Sequence, residues 1–235
     1  MSRVELIFFS ILMWTACGRE QFIPFAMWGR QGKSTPLGYS ATRSAGSASL
    51  VGSAGMTQIK NVSEDDSYST VIFSWFNFYL AGLPQMIWYL SSNTYINTEQ
   101  PSTAWSGLSA SNPPYPKFHL GAADNSWQRV WVVQGFNYFR VRYEGTASTS
   151  GTVGSPNIVY EATFFRPTPT AQYVQVVFGV HSRNTGQFGV TNNSSYYATG
   201  GTITANSSYV FEGNLSGTAW TIYSNSQITG TDLNL

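Results

Sequence analysis

From residue 61 onward, apolar positions come in short runs rich in β-branched and aromatic side chains, punctuated by Gly, Pro, Asn and Asp, with no helical period. Runs 71–80 (VIFSWFNFYL) and 86–97 (MIWYLSSNTYIN) are divided by Ala81-Gly82-Leu83-Pro84. A third, 117–121, follows Pro113-Pro114-Tyr115-Pro116, and 129–133 with 136–144 reads as a hairpin turning at Gln134-Gly135. In the second arm of that hairpin Phe139, Val141 and Tyr143 alternate with Arg140, Arg142 and Glu144. That is the period-two pattern of an antiparallel strand with one face in the core and the other in water. Segments 157–165 and 173–181 form the next pair, joined by Arg166-Pro167-Thr168-Pro169-Thr170, and Val174, Val176, Phe178 and Val180 supply the apolar face of the latter. Segments 196–198, 202–204, 209–212 and 220–223 close the series. About ten short strands separated by Gly- and Asn-rich turns predict an all-β protein, an antiparallel β-sandwich or jelly-roll-like domain spanning residues 61–235.

The first 60 residues have a different texture. Residues 1–18 read MSRVELIFFSILMWTACG, a short apolar run behind one Arg and ahead of Cys17. Two readings fit: an apolar arm that docks onto a partner or another subunit, or a secretory or lipoprotein signal ending at Cys17. Glu5 and Trp14 depart from the signal pattern and favour the arm. The run is shorter than the roughly 20 residues that span a bilayer, so no membrane span is expected. Small residues dominate 44–55, the composition of an extended connector between arm and domain.

Composition narrows the function classes. Only 10% of residues are charged, against roughly 25% in an ordinary soluble domain. Hydroxyls and amides replace them, as suits the exterior of a larger object. Lys and Arg are scattered and the formal net charge is +1, so the concentrated cationic face that binds nucleic acid is missing. With one Cys, no intrachain disulfide or Cys-rich zinc site can form. Robustness is then expected from core size or oligomerisation.

Candidate chemistry is sparse. Gly32-Lys33-Ser34 lacks the upstream Gly of a phosphate loop. His119 and His181 have no metal-ligand spacing. Glu144 and Glu161 fall on neighbouring strands, where a glycosidase pair would sit, but Arg140 and Arg142 share the face of Glu144 and predict cross-strand ion pairs instead. The stretches Glu64-Asp65-Asp66 and Asp124-Asn125-Ser126 each offer too few oxygens for calcium and read as turn-formers. Catalytic residues, metal and cofactor are therefore expected to be none. Among the aromatics, Trp105 and Trp127 fall in loop-like contexts and are the expected exposed contacts for a ligand or partner, such as a sugar ring stacking on an indole face.

Residues 124–190 resemble β-rich proteins of tailed-bacteriophage fibres and other virion appendages. The resemblance is carried by FRVRYEG at 139–145, the Gly/Ser/Thr-rich loop to Pro156, and NIVYE at 157–161. It implies a non-enzymatic virion structural protein, a tail fibre or surface decoration, held to other virion proteins by its N-terminal arm. It further implies a homo-oligomer, a trimer foremost, assembled in the host cytoplasm and in contact with a host-surface glycan. The alternative is a bacterial envelope lipoprotein or adhesin, lipidated at Cys17, with a carbohydrate-binding sandwich.

Overall fold

The computed structural model describes residues 39–72, 78–103, 109–147, 154–182 and 186–231, and every regular element among them is a β-strand. In chain order these are β1 (Thr42–Ala45), β2 (Thr57–Glu64), β3 (Tyr68–Ile72), β4 (Phe78–Leu80), β5 (Leu83–Gln85) and β6 (Ile87–Ser91). They continue with β7 (Tyr95–Asn97), β8 (Lys117–Ala122), β9 (Ser126–Gln134), β10 (Tyr138–Thr146), β11 (Ile158–Phe165) and β12 (Gln172–His181). The last five are β13 (Gln187–Thr191), β14 (Tyr196–Thr199), β15 (Ser208–Gly213), β16 (Trp220–Ser224) and β17 (Ser226–Thr229). A seven-stranded antiparallel sheet runs β16-β15-β12-β11-β10-β9-β2, and a six-stranded one runs β14-β13-β8-β7-β6-β3. The β1–β17 and β4–β5 pairs stand apart from them.

The two sheets face each other as an antiparallel β-sandwich around an aromatic core. Phe118 of the six-stranded sheet meets Phe164 at 5.6 Å and Phe211 at 5.8 Å, both from the seven-stranded sheet. Trp88 meets Phe164 at 5.1 Å, and Phe188 meets Tyr209 at 4.8 Å. Most of these pairs are edge-to-face, the geometry in which ring quadrupoles attract and add about 0.5–1.5 kcal/mol per pair beyond burial. The alternation along β10 does what it predicts for one face: Phe139, Val141 and Tyr143 enter this core.

Two one-residue bulges decide which side chains reach it. Between β11 and β12, Ile158 faces His181 whereas Tyr160 faces Phe178, so β12 carries one extra residue. A bulge of this kind exchanges the faces beyond it. Val180, expected on the apolar face, is 54% exposed, and the His181 ring packs 5.2 Å from Phe178 in its stead. Between β9 and β10, Glu144 faces Arg129 whereas Gly145 faces Trp127, which makes Gln128 the extra residue.

The other face of β10 is not in water. Residues 39–56, whose small-residue portion reads as a connector, run along the outer side of the seven-stranded sheet and cover it. β1 pairs with β17, Ala48 N–H donates to Ser208 Oγ at 3.0 Å, and the backbone amides of Val51 and Gly52 donate to the Glu161 carboxylate at 2.7 and 2.8 Å. The strap packs closely at Gly179, where a Cβ would lie 2.6 Å from Leu50 Cδ1 and push that side chain aside. Strand β2 straddles the expected boundary at residues 60 and 61. The 86–97 run is two strands, β6 and β7, folded at Thr94 with φ 59°. Residues 202–204 form no strand, although Ile203 is buried. The apolar arm at 1–18, with the rest of residues 1–38, and the centre of the 71–80 run lie outside the described residues.

Candidate functional site

The carboxylate pair singled out in the sequence sits on the outer face of the seven-stranded sheet. Glu144 and Glu161 belong to adjacent strands β10 and β11, with Arg142 directly opposite Glu161. Arg142 links both acids: Nη2 lies 2.9 Å from Glu144 Oε1 and Nη1 lies 2.7 Å from Glu161 Oε1. Arg129 adds a second cation 2.6 Å from Glu144 Oε2, and the Val51 and Gly52 amides hold both oxygens of Glu161. Each carboxylate thus faces fixed positive partners under the 46–53 strap. A retaining or inverting glycosidase needs an open gap between the pair, whereas this arrangement fills the gap with the Arg142 guanidinium. Arg140 turns aside, its Nε donating to Thr163 Oγ1 at 3.0 Å.

The second place is the end of the sandwich where β2 crosses to β3 and β8 crosses to β9. Trp127 is central to it, and the structure corrects the expectation that it is exposed: its side chain is fully buried. Simple alternation would place it beside Arg129 and Trp131 on the outer face, but the extra residue Gln128 turns it inward. Its indole Nε1 donates to Glu64 Oε2 at 2.9 Å, and Lys60 Nζ stands 5.0 Å from the ring centre. Lys60 Nζ and Ser67 Oγ also donate to Glu64 Oε2, each at 2.9 Å. Burial opposes charge on Glu64, yet the hydrogen bonds from Lys60, Trp127 and Ser67 together outweigh it and hold the carboxyl below its ordinary range. Trp127 is therefore built into the frame of the domain. Trp105 lies outside the described residues.

Beside this corner the fold joins two acidic stretches that are 58 positions apart in sequence, counting from Asp66 to Asp124. Oxygens of Asp65, Asp66 and Asp124 come within 4.8 Å of one another. Asn93 ties the loops together: its Nδ2 donates to Asp66 Oδ1 at 3.1 Å and its Oδ1 accepts from Asn125 N–H at 2.9 Å. Asp124 Oδ1 is buried without a hydrogen-bond donor. The donor set is the oxygen-only kind that hard divalent cations take, but such ions want about six to eight oxygens. Three carboxylates leave half of that shell unprovided.

The consequence falls on Asp65. Burial first, then the charges of Asp66 and Asp124, push the Asp65 carboxyl up, against a lowering hydrogen bond from the Asp66 amide. A carboxyl raised in the folded state favours folding at low pH, and that advantage is lost as pH rises through its folded value. At neutral pH the triad thus strains the turn. Asp124→Asn is expected to raise the melting temperature by about 1–4 °C in calorimetry at low salt, equivalent to about 0.5–1 kcal/mol. The gain should shrink as salt screens the parent cluster; a lower melting temperature in low salt would show that the carboxylates are not in conflict.

Comparison with protein-family models, with curated proteins and with solved structures returned no match to this chain.

Proposed function

We propose that this chain is a non-enzymatic structural protein of a tailed-bacteriophage particle, a tail fibre or surface decoration. In this reading the apolar N-terminal arm, residues 1–18, attaches it to other virion proteins and the β-sandwich faces the medium. The observation that supports it is the state of the polar groups with the most catalytic promise: Glu144 and Glu161 are locked by Arg142, Arg129 and backbone amides as braces between strands. A surface low in charge and a sandwich strapped by its own N-terminal segment suit a rigid exterior module stabilised further by assembly into a trimer. A host-surface glycan is the contact expected of such a module.

The test is made on the natural protein. Intact mass is expected to show the apolar segment retained, and light scattering to show a mass of about three chains. Loss of residues 1–16 with a lipid on Cys17 would overturn the virion reading in favour of an envelope lipoprotein. Glycan cleavage by the purified protein, abolished by Glu144→Gln or Glu161→Gln, would overturn the non-enzymatic one.

A further inference from the structure

The outer face of the six-stranded sheet hides a layer of polar side chains that no function above uses. Strand β8 places Lys117 and His119 on that face, two positions apart, while Phe118 and Leu120 enter the core. Both Lys117 and His119 are fully buried, as are their strand neighbours Tyr95, Asn97 and Thr191. The turn at residues 109–116 lies over Lys117 and His119. Lys117 Nζ donates to the carbonyls of Ala110 at 2.9 Å, Pro113 at 2.6 Å and Tyr115 at 3.2 Å, so the ammonium is the pin that fastens this turn to the sheet.

His119 has no comparable provision. Its ring lies 6.3 Å from Tyr95 and 5.8 Å from Tyr196, and among the described residues neither nitrogen has a hydrogen-bond partner of ordinary geometry. Among the described residues, the groups facing it are those two phenol rings, Gly189 opposite it on β13, the backbone of Ser109 and the charge of Lys117. The Ser109 backbone favours the charged ring, but burial and Lys117 oppose it and push the imidazole down to about 3. A second cation in this layer would sit beside the first with no carboxylate acting on it. The least costly relief is to raise the cover, because Ser109 closes over His119 and the rest of the same turn closes over Lys117.

We propose that residues 109–116 form an acid-operated cover, lifted from the sheet when His119 takes a proton. The sign follows from linkage. A histidine whose folded pKa lies below its free value favours the closed state fully above 6.5, and the advantage is lost as pH falls through the window toward the folded value. With an ordinary pKa of about 6.5 in the open state, the opening equilibrium rises about 25-fold between pH 7 and pH 5.

Hydrogen exchange on the full chain reads this directly. The amides of Thr98, bonded to Pro116 O at 3.1 Å, and Ser109, bonded to Asn112 O at 3.2 Å, report the cover. Their protection, corrected for intrinsic exchange, is expected to fall about 25-fold from pH 7 to pH 5 while β12 amides hold theirs. In His119→Gln and in His119→Phe the change should shrink below about threefold; His181→Gln, altering the other histidine, should keep it. Flat protection in the parent chain, pH dependence that survives in either folded His119 variant, or β12 losing protection in step would each overturn the proposal.

Discussion

Arg142→Met is expected to lose about 3 kcal/mol of stability, a fall of roughly 6–12 °C in melting temperature for a chain of this size. Arg142 joins a 6%-exposed Glu144 on its own strand to a 2%-exposed Glu161 on the next. Removing one partner of a buried pair leaves the remaining charge desolvated, which costs about 3–5 kcal/mol. The lower end applies because Glu144 retains Arg129 and Glu161 retains the Val51 and Gly52 amides. A combined Arg142→Met and Glu161→Gln variant should lose less than the sum of the single losses, since the orphaned charge is gone. Equilibrium urea unfolding measures both. Additive losses, or an Arg142→Met effect under about 1 kcal/mol, would show that the network is solvated and that the strap does not seal it.

The alternation along β10 was readable because nothing interrupts it between Phe139 and Glu144, and the inference of cross-strand ion pairs followed from the same six residues. What covers their charged face was not readable. A Gly/Ser/Ala stretch carries no apolar period, and the β1–β17 pairing that anchors it bonds Thr42 to Thr229 across 187 positions. Strand β13 was hidden for a local reason: Gln187-Phe188-Gly189-Val190-Thr191 is short and split by Gly189. The bulges were invisible in a different way, because one inserted residue leaves composition unchanged while exchanging the faces of Trp127 and Val180. The burial of Lys117 had no sequence signal at all. Its partners are backbone carbonyls, which every residue type supplies equally.

Trp127 carries the second large effect. Its indole belongs to the aromatic and aliphatic core while its N–H reaches out to Glu64 at the sheet edge. Trp127→Ala removes the whole side chain from a fully buried site and is expected to destabilise by about 3–5 kcal/mol, or roughly 6–20 °C. Trp127→Phe keeps most of the packing and loses one hydrogen bond to a carboxylate, a class of interaction worth about 1.5–3 kcal/mol. Its loss should fall near about 1 kcal/mol, because Glu64 is 34% exposed at the side chain and keeps Lys60 and Ser67. The phenylalanine variant also has a pH signature. Glu64 is held below its ordinary value of 4.5, so its contribution is full above that pH and disappears as pH falls through the lower folded value. Deleting the indole donor moves that folded value up and narrows the window, so the deficit of Trp127→Phe should be constant near neutrality and shrink in acid. A side chain that served instead as a stacking surface for a sugar would behave in the opposite manner: its alanine variant would keep the parent melting temperature and lose glycan binding alone.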